Sequence, residues 1–154
     1  MATIEKSIEV EVPVTTAYNQ WTQFEEFPQF MEGVEQVTQL DDQRLYWIAT
    51  VGGQKKEWYA RITEQIPDER VAWTSEGGGT FTAGVVTFHR LDENRTRVML
   101  QMEYDPEGIV EEVGDKLGLV TRRVEGDLKR FKEFIESRGV ESGAWRGKIE
   151  RPVP

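Results

Sequence analysis

Residues Thr3 to Val12 alternate, with Ile4, Ile8, Val10 and Val12 set against Glu5, Ser7, Glu9 and Glu11. A period of two is the mark of a strand buried on one face, and Pro13 ends it. Val14, Ala17, Tyr18 and Trp21 then fall at i, i+3, i+4 and i+7, the spacing of a short amphipathic helix. Phe24, Phe27, Pro28 and Phe30 follow, and we read a second short helical turn that stops at Phe27, before the proline. Six more strands are legible: Gly33 to Leu40, Arg44 to Val51, Lys55 to Ile66, Arg70 to Ser75, Thr80 to Leu91 and Arg95 to Tyr104. Turn signals separate them: Asp41-Asp42-Gln43, the hairpin Gly52-Gly53, Pro67-Asp68, the loop Gly77-Gly78-Gly79 and Asp92-Glu93-Asn94. By parity Leu45, Trp47, Ala49 and Val51 share a face, as do Trp58, Ala60 and Ile62. Val86 and Phe88 oppose Val98, Leu100 and Met102.

The last apolar stripe is different. Ile109, Val113, Leu117, Val120, Val124, Leu128, Phe131 and Ile135 recur at steps of three and four, one side of a long helix. Asp105-Pro106-Glu107 supplies a helix start and Gly139 sits where a C-terminal cap belongs. Gly114, Gly118 and Gly126 lie inside the pattern at about 1 kcal/mol each relative to alanine. We expect a bend or close packing there, with a movable cavity entrance as the functional alternative. Strands first and one covering helix last give an α+β domain over residues 1–138, in which a curved antiparallel sheet grips the helix. A space between the two layers is expected. Residues 139–154 read as a polar tail whose large apolar group is Trp145.

Composition narrows the chemistry. The chain has 154 residues, 38% apolar and 31% charged, which suits one soluble globular domain. It contains no cysteine, so disulfides, thiolate metal sites and a cysteine nucleophile are excluded. The start of the chain does not resemble a signal peptide and no apolar run reaches membrane-spanning length, so a cytoplasmic location and no membrane insertion are expected. A net charge of −9 disfavours nucleic acid and anionic surfaces. The local basic group Arg122, Arg123, Lys129 and Arg130 reads as the solvated face of the last helix.

Catalytic chemistry is thin. His89 is the one imidazole, and parity turns it away from the core. Metal coordination has neither the histidines nor spaced carboxylates to support it, and no cofactor is implied. The 77–79 glycines lack the lysine and helix of a phosphate loop. Carboxylate neighbours such as Glu25/Glu26, Glu111/Glu112 and Glu103/Asp105 are expected by chance among 28 acids, and no residue is assigned a catalytic role.

The order of elements carries a resemblance. The stretches Val12-Pro13, Ala17-Tyr18, Trp21 and Phe24-Glu25-Glu26-Phe27-Pro28-Gln29-Phe30-Met31 resemble the helix-grip superfamily (SRPBCC, START-like and Bet v 1-like). The closing hairpin Gly84 to Phe88 with Thr96-Arg97-Val98, and Asp127-Leu128-Lys129-Arg130-Phe131-Lys132, fit it too. The match is nearest the bacterial polyketide cyclase/dehydrase and coenzyme-Q-binding START branch, and the tail Gly143 to Gly147 looks like that of uncharacterised bacterial members. The resemblance implies a seven-stranded sheet, two short helices after strand 1 that close one end of it, and a long C-terminal helix over it.

The aromatic set then becomes the functional signal. Trp47, Trp58 and Trp73 occupy the apolar side of three consecutive strands, with Trp21, Phe24, Phe27 and Phe30 at the end. Together with Phe88, Met102, Tyr104, Leu117, Val120 and Val124 they are expected to line a pocket, although each aromatic taken singly is also good core material. The expected partner is a small hydrophobic or aromatic molecule such as a polyketide, quinone or lipid, held by apolar burial at about 25 cal/mol per Å². The alternative is a polyketide cyclase or dehydratase in which Tyr18, Arg61 or Tyr104 moves protons, with Arg61 weakened by an outward parity. A third is an interaction or stress-related module. It would use the outer-face residues Tyr46, Ile48, Tyr59, Phe81 and Val85, which suggest a partner surface, a homodimer included, or cover by Trp145; ordinary exposed strand residues explain them equally. Few inward ionisable residues are expected, which favours binding over turnover.

Overall fold

A computed structural model describes residues 2–51, 53–76, 82–105 and 116–150. Seven strands form one antiparallel sheet in the order β1-β7-β6-β5-β4-β3-β2. They are β1 (Ala2–Val10), β2 (Val34–Gln39), β3 (Arg44–Val51), β4 (Gln54–Ile66), β5 (Arg70–Glu76), β6 (Thr82–Asp92) and β7 (Arg95–Tyr104). Helix α1 (Val14–Trp21) and a 3-10 helix (Phe24–Gln29) follow β1, and helix α2 (Lys116–Arg138) covers the sheet. This is the helix-grip arrangement expected from the sequence.

The first and last strands of the sheet are neighbours: β1 pairs with β7 from Ala2↔Tyr104 to Val10↔Thr96. The other edge of β1 is guarded by α2. Lys6 bridges Glu125 at 3.1 Å. The Lys132 ammonium donates to the Glu9 carbonyl at 3.1 Å, and the Glu11 N–H donates to Glu136 at 2.7 Å. An edge so covered offers no template to another strand.

Three irregularities decide where side chains point. The bulge between Ile62 and Glu64 shifts the parity of β4, so Gln65, not Glu64, is buried. Others lie between Val34 and Gln36 and between Arg90 and Asp92. Elsewhere the alternation holds, and His89 is exposed with its Nε2 3.1 Å from the Thr87 hydroxyl on the same outer face.

The turn expected to stop at Phe27 continues through Pro28 to Gln29. Proline removes one N–H but fits the helical φ, and both the Phe30 and Met31 N–H groups close back onto the Phe27 carbonyl. Helix α2 runs unbroken through Gly118 and Gly126 and ends at Gly139, whose φ of +74° and N–H bonded to Ile135 O make the expected cap. The expected helix start at Pro106-Glu107, Ile109, Val113, Gly114, Gly52, the 77–79 loop and Phe81 lie outside the described residues, as does the side chain of Leu117.

The tail folds back. Trp145 donates its N–H to the Thr22 hydroxyl at 3.0 Å and its ring packs against the core at the end of α1, not over Tyr46 and Tyr59. Arg146 grips both carboxylate oxygens of Asp68 at 3.0 Å and lies over the Tyr18 ring, and the buried Ile149 bridges Gln65 of β4. Asp68 is the one described non-glycine residue with positive φ, at 64°.

Candidate functional site

The concave side of the sheet is filled at one end and hollow at the other. At the filled end the rings of Trp21 and Phe131 meet at 5.1 Å, Phe30 and Phe131 at 5.2 Å, and Tyr18 and Phe88 at 5.5 Å. Val10, Val86, Val98 and Ile135 close the gaps between them, each with no exposed surface.

At the other end a cavity of about 220 Å³ separates the sheet from α2. Its floor comes from inward positions: Leu45, Trp47 and Ala49 on β3, then Trp58, Ala60 and Ile62 on β4. Val71, Trp73, Leu100 and Met102 extend the floor, and Trp21, Phe24 and Phe27 form the wall shared with the filled end. Val120, Val124 and Leu128 of α2 make the roof. Trp47 and Trp58 are direct cross-strand partners and stack at 5.7 Å with their planes 9° apart. Alanines beside these indoles leave room that a larger residue would take. The Trp73 indole lies against Gly84, where a Cβ would come within 2.8 Å of the ring and 2.5 Å of the Gln101 carbonyl.

Nine of the thirteen residues expected at a pocket therefore line this cavity: Trp21, Phe24, Phe27, Trp47, Trp58, Trp73, Met102, Val120 and Val124. Phe30, Phe88 and Tyr104 do not. Phe30 and Phe88 point into the aromatic cluster, and Tyr104 is buried at the end of β7 opposite Ala2 and Thr82. Phe88 packs on Tyr18 and Trp21 of α1, and Phe30 on Phe131 and Phe134 of α2, contacts that parity along a strand does not register.

The cavity also has a polar mouth that the sequence reading missed. Glu32, Lys56, Arg123 and Asp127 stand among its lining residues. Arg123 donates to the carbonyls of Glu32 at 2.9 Å and Thr50 at 3.2 Å, which ties α2 to the turn before β2 and to the end of β3. The guanidinium occupies the space where a Cβ on Gly33 would stand, and Gly33 has φ +83°. Asp127 accepts the Glu32 N–H at 3.0 Å and an Arg130 N–H at 2.5 Å, while Arg130 also donates to Phe30 O at 2.9 Å. Two of the basic residues assigned to a solvated face are thus latched onto backbone. Arg123, Asp127 and Arg130 sit one position before the apolar stripe of Val124, Leu128 and Phe131, so all three border the core. Burial pushes the Asp127 carboxyl up to about 6, with Arg130, the Glu32 N–H and Arg123 pulling it back.

The proposed proton shuttles lie elsewhere. Arg61 is on the outer face, 3.3 Å from Glu76. Burial raises the Tyr18 hydroxyl, which the neighbouring Gln65 amide and Arg146 pull back down, and it raises Tyr104 unopposed. Neither phenol lines the cavity. Tyr46 and Tyr59 pair at 5.1 Å on the outer face. Among the described residues no three acidic or imidazole side chains converge as metal ligands do, and no helix is long and apolar enough to cross a membrane.

Comparison with known proteins agrees with this architecture. A family model described as polyketide cyclase / dehydrase and lipid transport matches residues 10–133. An uncharacterised 17.2 kDa protein from the melC2-rnhH intergenic region of Streptomyces lincolnensis is 62% identical over 149 residues, 97% of this chain and 99% of the relative. Among solved structures, the Zhui aromatase/cyclase from Streptomyces sp. R1128 superposes with a TM-score of 0.76 at 19% identity, covering 94% of this chain and 99% of that one. A START superfamily protein from Mycobacterium smegmatis does so with a TM-score of 0.69 at 14% identity, covering 88% and 95%. At such identities the shared property is the fold.

Proposed function

This chain belongs to the polyketide cyclase / dehydrase and lipid transport family, and on that premise we propose that it binds a small hydrophobic or aromatic molecule between its sheet and α2. The observation that carries the reading is the apolar cavity of about 220 Å³ walled by Trp47, Trp58 and Trp73. An apolar void of roughly 150 Å³ takes benzene, whereas drug-sized ligands need about 300–1,000 Å³. The volume therefore suits one or two rings, or the end of a longer acyl or isoprenoid chain. A cytoplasmic setting belongs to the same reading.

Turnover as a cyclase or dehydratase is the second reading, and Asp127 is what favours it. It is a cavity-lining carboxyl held near neutrality by burial, where a general acid works best. Its two hydrogen bonds to Glu32 and Arg130 explain its position without any substrate, so binding is the stronger reading.

The test uses 6-propionyl-2-dimethylaminonaphthalene, a neutral two-ring probe whose emission shifts and brightens in apolar surroundings. Trp58→Ala or Trp73→Ala is expected to weaken its binding more than it lowers helix content by circular dichroism. Unchanged probe binding in both variants would return these indoles to the ordinary core and remove the site.

A further inference from the structure

Lys56 is the anomaly of the concave face. It lies on β4 two residues before Trp58, opposite the inward Ala49, and it lines the cavity. Among the described residues it makes no hydrogen bond and no ion pair, whereas its neighbour Lys55 reaches Glu35 at 4.0 Å. A lysine on an apolar floor lays its stem along the hydrocarbon and carries the ammonium to the nearest polar opening.

That opening is already biased. Its two carboxylates, Glu32 and Asp127, are both engaged by Arg130, at 3.7 Å and 2.5 Å. Arg123 faces carbonyl oxygens of Glu32 and Thr50, so its charge is not cancelled there by a direct carboxylate contact among the described residues. Among the described lining residues Lys56 and Arg123 balance Glu32 and Asp127 in number, but both carboxylates are already engaged by Arg130 from beside the mouth, which leaves Lys56 as a lining cation with no carboxylate partner among the described residues.

Resting on the cavity reading above, we infer that the ligand is an amphipathic anion, an apolar body of one or two rings or a short chain with a carboxylate that Lys56 receives at the mouth. The apolar floor supplies affinity and Lys56 supplies orientation. A carboxylate on an ammonium makes a charge-assisted hydrogen bond, which a neutral amide of the same shape does not.

The experiment compares 2-naphthoate with 2-naphthamide by calorimetric titration above neutral pH, on the wild type, Lys56→Met and Lys55→Met. Methionine keeps the apolar stem, and Lys55 is the outward control. The wild type is expected to favour the carboxylate roughly three- to tenfold, the range for a partly solvated charged contact. The preference should shrink as salt is raised. It should vanish in Lys56→Met and persist in Lys55→Met. Equal binding of acid and amide by the wild type overturns the anion proposal and leaves the cavity reading standing. A preference that survives in Lys56→Met removes Lys56 as its source and overturns the proposal. Binding of neither compound overturns the cavity reading and this inference with it.

Discussion

The two ends of the concave face are built from the same residue types and behave as opposites. Around Phe131 the aromatic rings meet edge to face at 5.1–5.5 Å and leave no surface exposed on Tyr18, Val86, Val98 or Ile135. Around Trp58 the indoles of Trp47 and Trp58 stack on each other, and a cavity remains between them and α2. The difference lies in what packs back. The filled end receives α1 and the 3-10 helix as a third layer. Among the described residues the hollow end has α2 for a roof, latched at its border by Arg123 and Arg130. Hydrophobic composition therefore does not by itself distinguish core from cavity; the number of layers that converge on it does.

The sharpest way to break this contrast is truncation. Phe131→Ala removes the ring at the centre of the cluster and should cost about 3–5 kcal/mol, read as a large fall in the midpoint of thermal or urea unfolding. Trp58→Ala at the hollow end should cost less, since its ring is already bordered by empty space and is only partly buried. Equal losses at the two sites would mean that the hollow end is packed as tightly as the other.

Overpacking probes the same difference with a smaller expected effect. Ala17 has no exposed surface at the filled end, and Ala17→Leu should destabilise by about 1–3 kcal/mol. Ala60 lies on the cavity floor, so Ala60→Leu has room to grow inward and should leave the unfolding midpoint nearly unchanged. It should also abolish binding of 6-propionyl-2-dimethylaminonaphthalene by occupying its place. A destabilised Ala60→Leu protein that still binds the probe would contradict both halves of this expectation.

The strand parity of Leu45, Trp47, Trp58, Ala60 and Trp73 was legible because inward positions recur every second residue. The stripe from Val120 to Ile135 was legible because 3.6-residue periodicity is equally local. What escaped was set by contacts distant in sequence. The Ile62/Glu64 bulge inverts one strand end without any glycine or proline to announce it, and so buries Gln65. Arg123, Asp127 and Arg130 share the spacing of a solvated helix face, and only the turn at Phe30 to Gly33 coming back against α2 turns them into a latch. Trp145 and Arg146 pair with Thr22 and Asp68 across 123 and 78 residues of chain, a match that no local pattern records. Phe30 and Phe88 carry the same aromatic signal as Trp58, and the layer packed on them decides their role.

Asp127, at the border of roof and mouth, gives the finest test of how polar the hollow end is. Its pKa is raised from 3.8 to about 6, chiefly by burial, so the folded protein holds this proton more tightly than the unfolded chain. Between those two values the native state binds more protons, and the contribution of Asp127 to stability falls as pH rises through the window. Asp127→Asn cannot ionise and escapes that fall. The stability of Asp127→Asn relative to wild type should therefore increase between pH 5 and pH 7 by about 1 kcal/mol, a figure discounted for the carboxyl's partial contact with solvent. Urea unfolding of both proteins at the two pH values measures it. A difference that stays flat, or that runs the other way, would mean Asp127 titrates as an ordinary solvated carboxylate. The mouth would then be wetter than its hydrogen bonds to Glu32 and Arg130 indicate.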